Sequence, residues 1–198
     1  HLPQIKMEKR ARRSLLSMNF IEVFPQALSS NTCKLIIDRF EESPHKKEGI
    51  AGPFNHGVAK IKDSTDITVK GQQDDPILNA VEPCYHEYCN KYGYLKLTRQ
   101  INAIDAGYNL QRYTDNQGFF YWHCEHSMHH PKRTIAWMVY LNDAECGTTW
   151  MHQNYTSQAR EGDILIWPAS WTHAHKGVTP NIGTKYIATG WMSYHSIR

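Results

Sequence analysis

The chain has 198 residues, of which 40% are hydrophobic and 21% charged, and its 22 Lys and Arg against 19 Asp and Glu give a formal charge of +3. A length near that of one domain and an ordinary globular composition argue against a disordered or collagen-like chain. The positive surplus is too small to favour a nucleic acid or another polyanion as the main partner.

No segment of the sequence indicates a membrane or secreted location. The longest uninterrupted apolar run, 135–141, has seven residues, whereas a membrane-spanning helix needs about 20. The polar, basic start of the chain lacks the apolar segment of a secretory signal. Five cysteines without any CxxC spacing favour neither a disulfide scaffold nor a structural zinc site. We therefore expect a cytoplasmic protein with reduced cysteines and no membrane partner.

The N-terminal half is predicted to be mainly helical. Residues 1–25 form a basic extension and a first strand, FIEVF at 20–24, and the single domain covers 26–198, with helical support over 26–95 and a β core over 96–198. The basic segment KMEKRARR at 6–13 is interpreted as a solvated helix face rather than a nucleic-acid arm.

Two helices are predicted within this support. The first has a capping residue among 29–31, apolar residues at helical spacing up to Phe40 and a Ser-Pro stop at 43–44. The second opens at Asp75-Pro76 and extends to about Tyr92, with an internal Pro83 that is expected to kink or split it. The glycine-rich segment 45–73 between them is predicted to form loops, with a short strand near 67–69.

From about residue 101 the pattern changes to short β-rich runs separated by turn residues. Six such runs in under a hundred residues predict an antiparallel β-sandwich or barrel. The runs are NAIDAGYNLQRY, GFFYWHCEH, TIAWMVYLND, TTWMHQNY, DILIWPASW and KYIATGWMSY.

Seven of the twelve histidines lie between residues 123 and 175. Within FFYWHCEH, the alternation of a strand would place His123 and Glu125 on one face. A histidine from elsewhere, such as His173, would complete the two-histidine, one-carboxylate triad that leaves coordination positions open on Fe(II). The HxE pattern alone is weak evidence, because a chain with this many histidines can contain it by chance.

Lys185 lies in an apolar β run, GTKYIATGW, where an unpaired buried ammonium is costly. It either reaches the surface, pairs with an internal acid, or, given a metal triad, holds the distal carboxylate of a dicarboxylate cosubstrate.

Taken in order, YNLQRY, FYWHCEH, WMVYLND, GDILIWPASWTHAHKG and GTKYIATGW resemble the Fe(II)- and 2-oxoglutarate-dependent dioxygenases, in particular their prolyl-4-hydroxylase-like branch. The resemblance covers about 109–191. It implies an α+β, mainly β fold, a double-stranded β-helix or jelly roll with supporting N-terminal helices. It also implies a hydroxylase that uses Fe(II), 2-oxoglutarate and O2, with ascorbate as a stimulant, and that releases succinate and CO2.

The same resemblance assigns roles to individual residues. It implies that His123, Glu125 and His173 are the iron ligands and that Lys185 pairs with the C5 carboxylate of 2-oxoglutarate. Tyr113 resembles the tyrosine that hydrogen-bonds the same cosubstrate. Asn109 and Tyr140 are expected to line that pocket.

Three features depart from the usual family pattern. The carboxylate ligand is Glu125 rather than the more frequent Asp, and the glycine-rich strand after LND is replaced by ECGTTWM at 145–151. The third feature is that His173 and His175 lie two residues apart, so on a strand both would point to the same face. Either is therefore a candidate for the distal ligand. We prefer His173 because its interval from the Trp167-Pro168 pair matches the family better.

The expected substrate is a C–H bond in a protein or peptide, with proline as one candidate, or in a small molecule. The segment HSMHHPKR, with His126, His129 and His130, is expected to form a loop at the barrel mouth, exposed or in contact with substrate. The alternative functions are a nucleic-acid demethylase, which the small net charge disfavours, and a non-catalytic metal- or sugar-binding jelly roll. Lys185 separates the last from the oxygenase, because a lectin needs no buried cation beside its metal.

Overall fold

A computed structural model describes residues 18–51, 61–72, 74–97, 101–178, 180 and 182–194, with no account of the side chains of Leu97 and of 101–106. The basic segment at 6–13 lies outside the described residues. None of the helices formed by the described residues is long and apolar enough to cross a membrane.

The helices begin where the sequence provides caps. Helix α1 (Ser30–Glu42) starts after Ser29, whose side chain accepts a hydrogen bond from the Thr32 backbone N–H, and buries Cys33, Ile36 and Phe40 as predicted. Helix α2 (Pro76–Lys91) is capped by the Asp75 carboxylate. A short helix α3 (Tyr94–Leu97), which the pattern did not predict, follows it.

Of the two expected effects of Pro83, a kink or a split, the split does not occur, because α2 is continuous over Pro76–Lys91. The helix continues through Pro83, which lies on its exposed face, as does Asn79 four residues earlier. The Asn79 carbonyl that loses its helical partner can therefore bind water. The buried face, from Ile77 to Cys89, holds the segment helical on the other side.

Twelve strands form three antiparallel sheets among the described residues. The strands are β1 (Glu22–Phe24), β2 (Lys47–Glu48), β3 (Lys62–Asp63), β4 (Thr65–Lys70), β5 (Ile101–Tyr113), β6 (Gly118–Phe119), β7 (Arg133–Tyr140), β8 (Thr148–Trp150), β9 (Tyr155–Thr156), β10 (Ile164–Pro168), β11 (His175–Gly177) and β12 (Lys185–Tyr194). The major sheet has the order β1-β10-β7-β12-β5-β4-β2, and smaller sheets are formed by β11-β8-β9 and β3-β6.

The major sheet is covered on both faces, which explains the continuous apolar run of β7. On one face, Trp137 and Val139 pack in a core with the buried sides of α1 and α2. On the other, Met138 and Tyr140 pack in a second core that includes Trp150 of the small sheet. This arrangement of helices and facing antiparallel sheets matches the predicted α+β, mainly β jelly roll.

The predicted runs correspond to strands except at the most informative one. In GFFYWHCEH only β6 at 118–119 is a strand, and residues 120–126 follow an irregular path with one isolated bridge at His123. The strand predicted near 67–69 is longer, at 65–70, and two further short strands occur within the segment predicted as loops.

Candidate active site

His123, Glu125 and His175 form the one group of three metal-ligating side chains found among the described residues, with their ligand atoms within 4.8 Å of one another. Glu125 Oε1 lies 3.6 Å from His123 Nε2 and 3.5 Å from His175 Nε2. The site thus consists of two imidazole nitrogens directed at one carboxylate oxygen.

Backbone hydrogen bonds between segments that are distant in sequence bring these residues together, rather than the alternation of side chains along one strand. His123 and His175 exchange two backbone hydrogen bonds, of 3.0 and 2.8 Å. The Glu125 N–H donates to the Ala169 carbonyl, just beyond β10, at 3.0 Å. The prediction that His123 and Glu125 converge is therefore consistent with the structure, but the reason given for it, an extended strand, is wrong.

Hydrogen bonds to backbone carbonyls orient both imidazoles. His123 Nδ1 lies 3.1 Å from the Tyr121 carbonyl, and His175 Nδ1 lies 2.9 Å from the His173 carbonyl. Because a carbonyl only accepts, each Nδ1 carries the proton, and each Nε2 presents its lone pair to the centre of the group. Such backbone contacts are the usual way in which a ligating histidine is oriented.

His173 is not part of this group, which corrects our preference between the two histidines. It lies in a 3₁₀ turn (Trp171–His173), so the alternation assumed for a strand does not apply. Its Nε2 donates to the Asn19 carbonyl at 2.8 Å, and its Nδ1 lies 3.0 Å from the Thr172 hydroxyl. Both ring nitrogens are therefore engaged away from Glu125.

The surroundings of the group favour an ionised carboxylate. Burial alone would raise the pKa of Glu125, but the two imidazoles, which donate to its carboxylate when they are protonated at Nε2, outweigh burial and hold that pKa well below its usual range. Burial, with the neighbouring His175, lowers the pKa of His123. Phe119 stacks on the His123 ring at 3.6 Å between centroids.

Two residues that the sequence did not single out contact the other oxygen of Glu125. The Trp191 indole Nε1 donates to Oε2 at 2.7 Å, and an Arg133 Nη1 lies 3.6 Å from the same oxygen. The Arg133 guanidinium in turn lies over the Trp191 ring, 3.4 Å from its centroid. Trp191 could have been found from the sequence, because it lies six residues after Lys185 on β12 and alternate residues of a strand point to the same face.

The group lies in a cavity of about 830 Å³ between the sheets. Alternate residues of three major-sheet strands point into it, as the pleat requires. The residues are Asn109, Gln111 and Tyr113 of β5, Met138 and Tyr140 of β7, and Lys185, Ile187, Thr189 and Trp191 of β12.

Lys185 is 3% exposed and lines this cavity. Its Nζ donates to the Val178 carbonyl at 2.9 Å and to the Gly147 carbonyl at 3.4 Å. No carboxylate among the described residues forms a salt bridge with it, and burial lowers its pKa, an effect partly opposed by Cys146. A buried cation with only neutral acceptors would be stabilised by an anion placed beside it.

The other predicted pocket residues lie around Lys185 or along the same wall. Tyr113 pairs with Lys185 across the sheet, and the ammonium lies 5.4 Å from its ring centroid. The Tyr113 hydroxyl donates to Gln111, while the Tyr140 hydroxyl lies 2.7 Å from the Ser157 hydroxyl. Asn109 accepts a hydrogen bond from Thr68.

The mouth of the cavity carries exposed aromatic and imidazole side chains. Tyr121 and Trp122 are 50% and 41% exposed, and the Lys176 ammonium lies 4.9 Å from the Trp122 ring centroid. Of the HSMHHPKR histidines, the exposed His129 and His130 line the cavity. The expectation that this segment lies at the mouth agrees with their position.

Comparison with known proteins identifies the same region. Residues 108–193 match the model of the 2OG-Fe(II) oxygenase superfamily. No curated protein is significantly similar to the chain in sequence.

Solved structures with a similar fold include three prolyl hydroxylases. The first is the 2OG complex of viral collagen prolyl hydroxylase from Paramecium Bursaria Chlorella virus-1. It has 17% sequence identity and a TM-score of 0.65, and the match covers 90% of this chain and 98% of that one. A Pseudomonas putida prolyl-4-hydroxylase has 11% identity and a TM-score of 0.67, covering 91% and 96%. A Trichoplax adhaerens prolyl hydroxylase, in complex with a hypoxia inducible factor oxygen degradation domain peptide fragment, has 15% identity and a TM-score of 0.65, covering 96% and 92%. The predicted jelly roll is confirmed.

Proposed function

We propose that this chain is a 2OG-Fe(II) oxygenase, which the match of residues 108–193 supports. We further propose that it hydroxylates a C–H bond of an amino-acid residue in a protein or peptide, with proline as the first candidate. One observation carries the proposal: a single cavity contains both a group of two histidines and one carboxylate and the buried Lys185. In the described part of the chain, no carboxylate forms a salt bridge with this lysine. Each half has a separate chemical purpose, and an oxygenase of this kind uses both.

The donor set of His123, Glu125 and His175 fits Fe(II). Two imidazoles and one carboxylate form the facial triad, which leaves coordination positions open for a cosubstrate and dioxygen. Both Nε2 lone pairs are available because each Nδ1 proton is held by a backbone carbonyl. We assign these three side chains as the iron ligands, with His175 in the place first given to His173.

The cosubstrate pocket is assigned to the Lys185 end of the cavity. A 2-oxoglutarate C5 carboxylate placed there receives the ammonium as its ionic partner. The Tyr113 hydroxyl, which donates to Gln111 in this structure, would turn from Gln111 to donate to that carboxylate. Asn109 and Tyr140 line the walls between this end and the metal group. Burial of Lys185 strengthens its attraction for an anion, because little water competes for the charge.

Bound iron supplies the activation of dioxygen, coupled to conversion of 2-oxoglutarate into succinate and CO2. The protein positions the reactants and excludes water. Trp150 and Trp167 pack against the His175 ring, with centroids 6.1 and 5.2 Å away, and Phe119 covers His123. These aromatic side chains would shield both imidazoles from water when the metal is bound.

A peptide substrate is supported by the mouth of the cavity. Exposed Tyr121 and Trp122 offer the large aromatic contacts that are typical of protein recognition surfaces. The similar Trichoplax adhaerens structure contains a peptide. We infer that a peptide lies over these two residues and presents one side chain to the metal.

The test is hydroxylation of a peptide library by the purified protein with Fe(II), 2-oxoglutarate and ascorbate, read by mass spectrometry and by succinate release. The proposal expects a gain of one oxygen atom on defined peptides in step with succinate, and loss of both in His175→Ala. Metal binding without 2-oxoglutarate binding would favour the non-catalytic jelly roll instead. Turnover of small molecules alone would reassign the substrate.

A further inference from the structure

The two oxygens of the Glu125 carboxylate have different surroundings. Oε1 faces the two histidine Nε2 atoms at 3.5 and 3.6 Å. Oε2 is turned away from them and accepts a hydrogen bond of 2.7 Å from the Trp191 indole. A hydrogen bond to an ionised acceptor is about twice as strong as one between neutral groups, so this contact holds the orientation of the carboxylate.

Trp191 is itself held in place from two sides. It lies on β12, which is paired with β5 and β7 in the interior of the major sheet, and its backbone position is opposite Ala136. The Arg133 guanidinium stacks on its ring at 3.4 Å from the centroid. The direction of the indole N–H is therefore set by the sheet and by this stack.

We propose that Trp191 is a positioning residue that keeps Glu125 bound to the metal through one oxygen only. The inference rests on the proposed assignment of His123, Glu125 and His175 as the iron ligands. A glutamate has one more rotatable bond than the aspartate more usual in this family, so it has more freedom to turn its second oxygen toward the metal. Chelation by both oxygens would fill a position that 2-oxoglutarate or dioxygen needs.

The experiment compares Trp191→Phe with Trp137→Phe. Trp137 lies on β7 opposite Gly190, in the helix-facing core, and its buried indole N–H has no hydrogen-bond partner among the described residues. Both variants lose one indole from neighbouring positions of the same sheet, but only Trp191→Phe loses a bond to Glu125. Each protein is titrated without oxygen with Co(II), and the Co(II) form is then titrated with 2-oxoglutarate.

For Trp191→Phe we expect one Co(II) per chain, a changed visible Co(II) spectrum and a 2-oxoglutarate affinity lower by about tenfold. For Trp137→Phe we expect the wild-type spectrum and affinity, even if its melting temperature falls. The inference is overturned if Trp191→Phe keeps both the wild-type spectrum and the wild-type affinity. If wild-type protein binds neither Co(II) nor 2-oxoglutarate, the proposed function itself fails.

A second measurement on the wild-type protein does not depend on the folding of a variant. The Trp191 indole N–H, assigned by NMR, is followed while Zn(II) is added. The proposal expects this proton to stay hydrogen-bonded and protected from solvent exchange in the Zn(II) form. Loss of that protection when Zn(II) binds would mean that Oε2 leaves the indole for the metal, and would overturn the inference.

Discussion

His123 and His175 are joined by two backbone hydrogen bonds, N–H to carbonyl in each direction, and their rings lie 4.4 Å apart between centroids. This single bridge connects the irregular segment after β6 to the first residue of β11. Two side chains of the proposed metal site, far apart in sequence, are thus placed by one pair of backbone contacts, and the third is placed through Ala169.

The first prediction separates the two candidate distal histidines. We expect His175→Ala to lower Co(II) affinity by at least about tenfold and to abolish succinate release. His173→Ala should keep metal affinity close to that of wild type, because His173 contacts Asn19 and Thr172 rather than Glu125. Isothermal titration of both variants provides the measurement, and the reverse order of effects would restore His173 as the ligand.

The second prediction concerns the buried ammonium. Lys185→Met should weaken 2-oxoglutarate binding to the Co(II) form by about tenfold or more, because the anion loses its charged partner. The same change should not lower the free energy of unfolding strongly, because Lys185 has only carbonyl partners and its charge is costly to bury. Urea unfolding and 2-oxoglutarate titration test the two parts. Unchanged cosubstrate affinity would contradict the assigned pocket.

A third prediction addresses the ion pair of Lys62 and Asp66, which lies in the cavity wall with side chains 3% and 7% exposed and a distance of 2.5 Å. Lys62→Met leaves Asp66 buried without its counter-charge and should cost ~3–5 kcal/mol of unfolding free energy.

The control for this ion pair is Lys46→Met, which breaks the more exposed pair with Glu41 and should cost less than about 1 kcal/mol. The double variant Lys62→Met/Asp66→Leu should recover much of the loss. Equal effects of the two single variants in urea unfolding would show that burial of the first pair has no energetic consequence.

The fourth prediction uses the cysteines as probes of the cavity. Cys124 is partly exposed and lines the cavity, whereas Cys33 is fully buried. Burial, with the nearby Glu161, raises the pKa of Cys33 to about 11, so its thiolate is scarce at mildly alkaline pH. We expect iodoacetamide to modify Cys124 first and Cys33 only after unfolding.

Bound Zn(II) and 2-oxoglutarate should slow modification of Cys124 because they fill the space beside it. Peptide mass mapping after timed quenching measures both rates, and Cys124→Ser identifies the fast site. If Zn(II) and 2-oxoglutarate are both bound but the modification rate of Cys124 does not change, the two ligands bind elsewhere.

The sequence was sufficient for those parts of the site that depend on residue type and strand pattern. β12 coincides with the run KYIATGWMSY, and Lys185 lies in the cavity, one of the outcomes that the apolar run around it left open. The choice between His173 and His175 failed because it assumed an extended strand, whereas a 3₁₀ turn ends at His173. Turns of this kind depend on tertiary contacts such as the one with Asn19, which no local pattern contains.

The partners of Glu125 were missed for a similar reason. Arg133 and Trp191 lie at the start of β7 and near the end of β12, and only the register between these strands brings them to the same carboxylate oxygen. The pattern of apolar residues predicts that both strands exist, but it does not fix which residues become neighbours.

Because β12 follows every other described element in the chain yet occupies a position between β5 and β7, the sheet has a gap at its centre until this strand is made. A chain synthesised only as far as β11 already contains His123, Glu125 and His175. It still lacks Lys185 and Trp191, which both lie on β12. These two side chains, which face the proposed site, are therefore added together, when this strand enters the sheet.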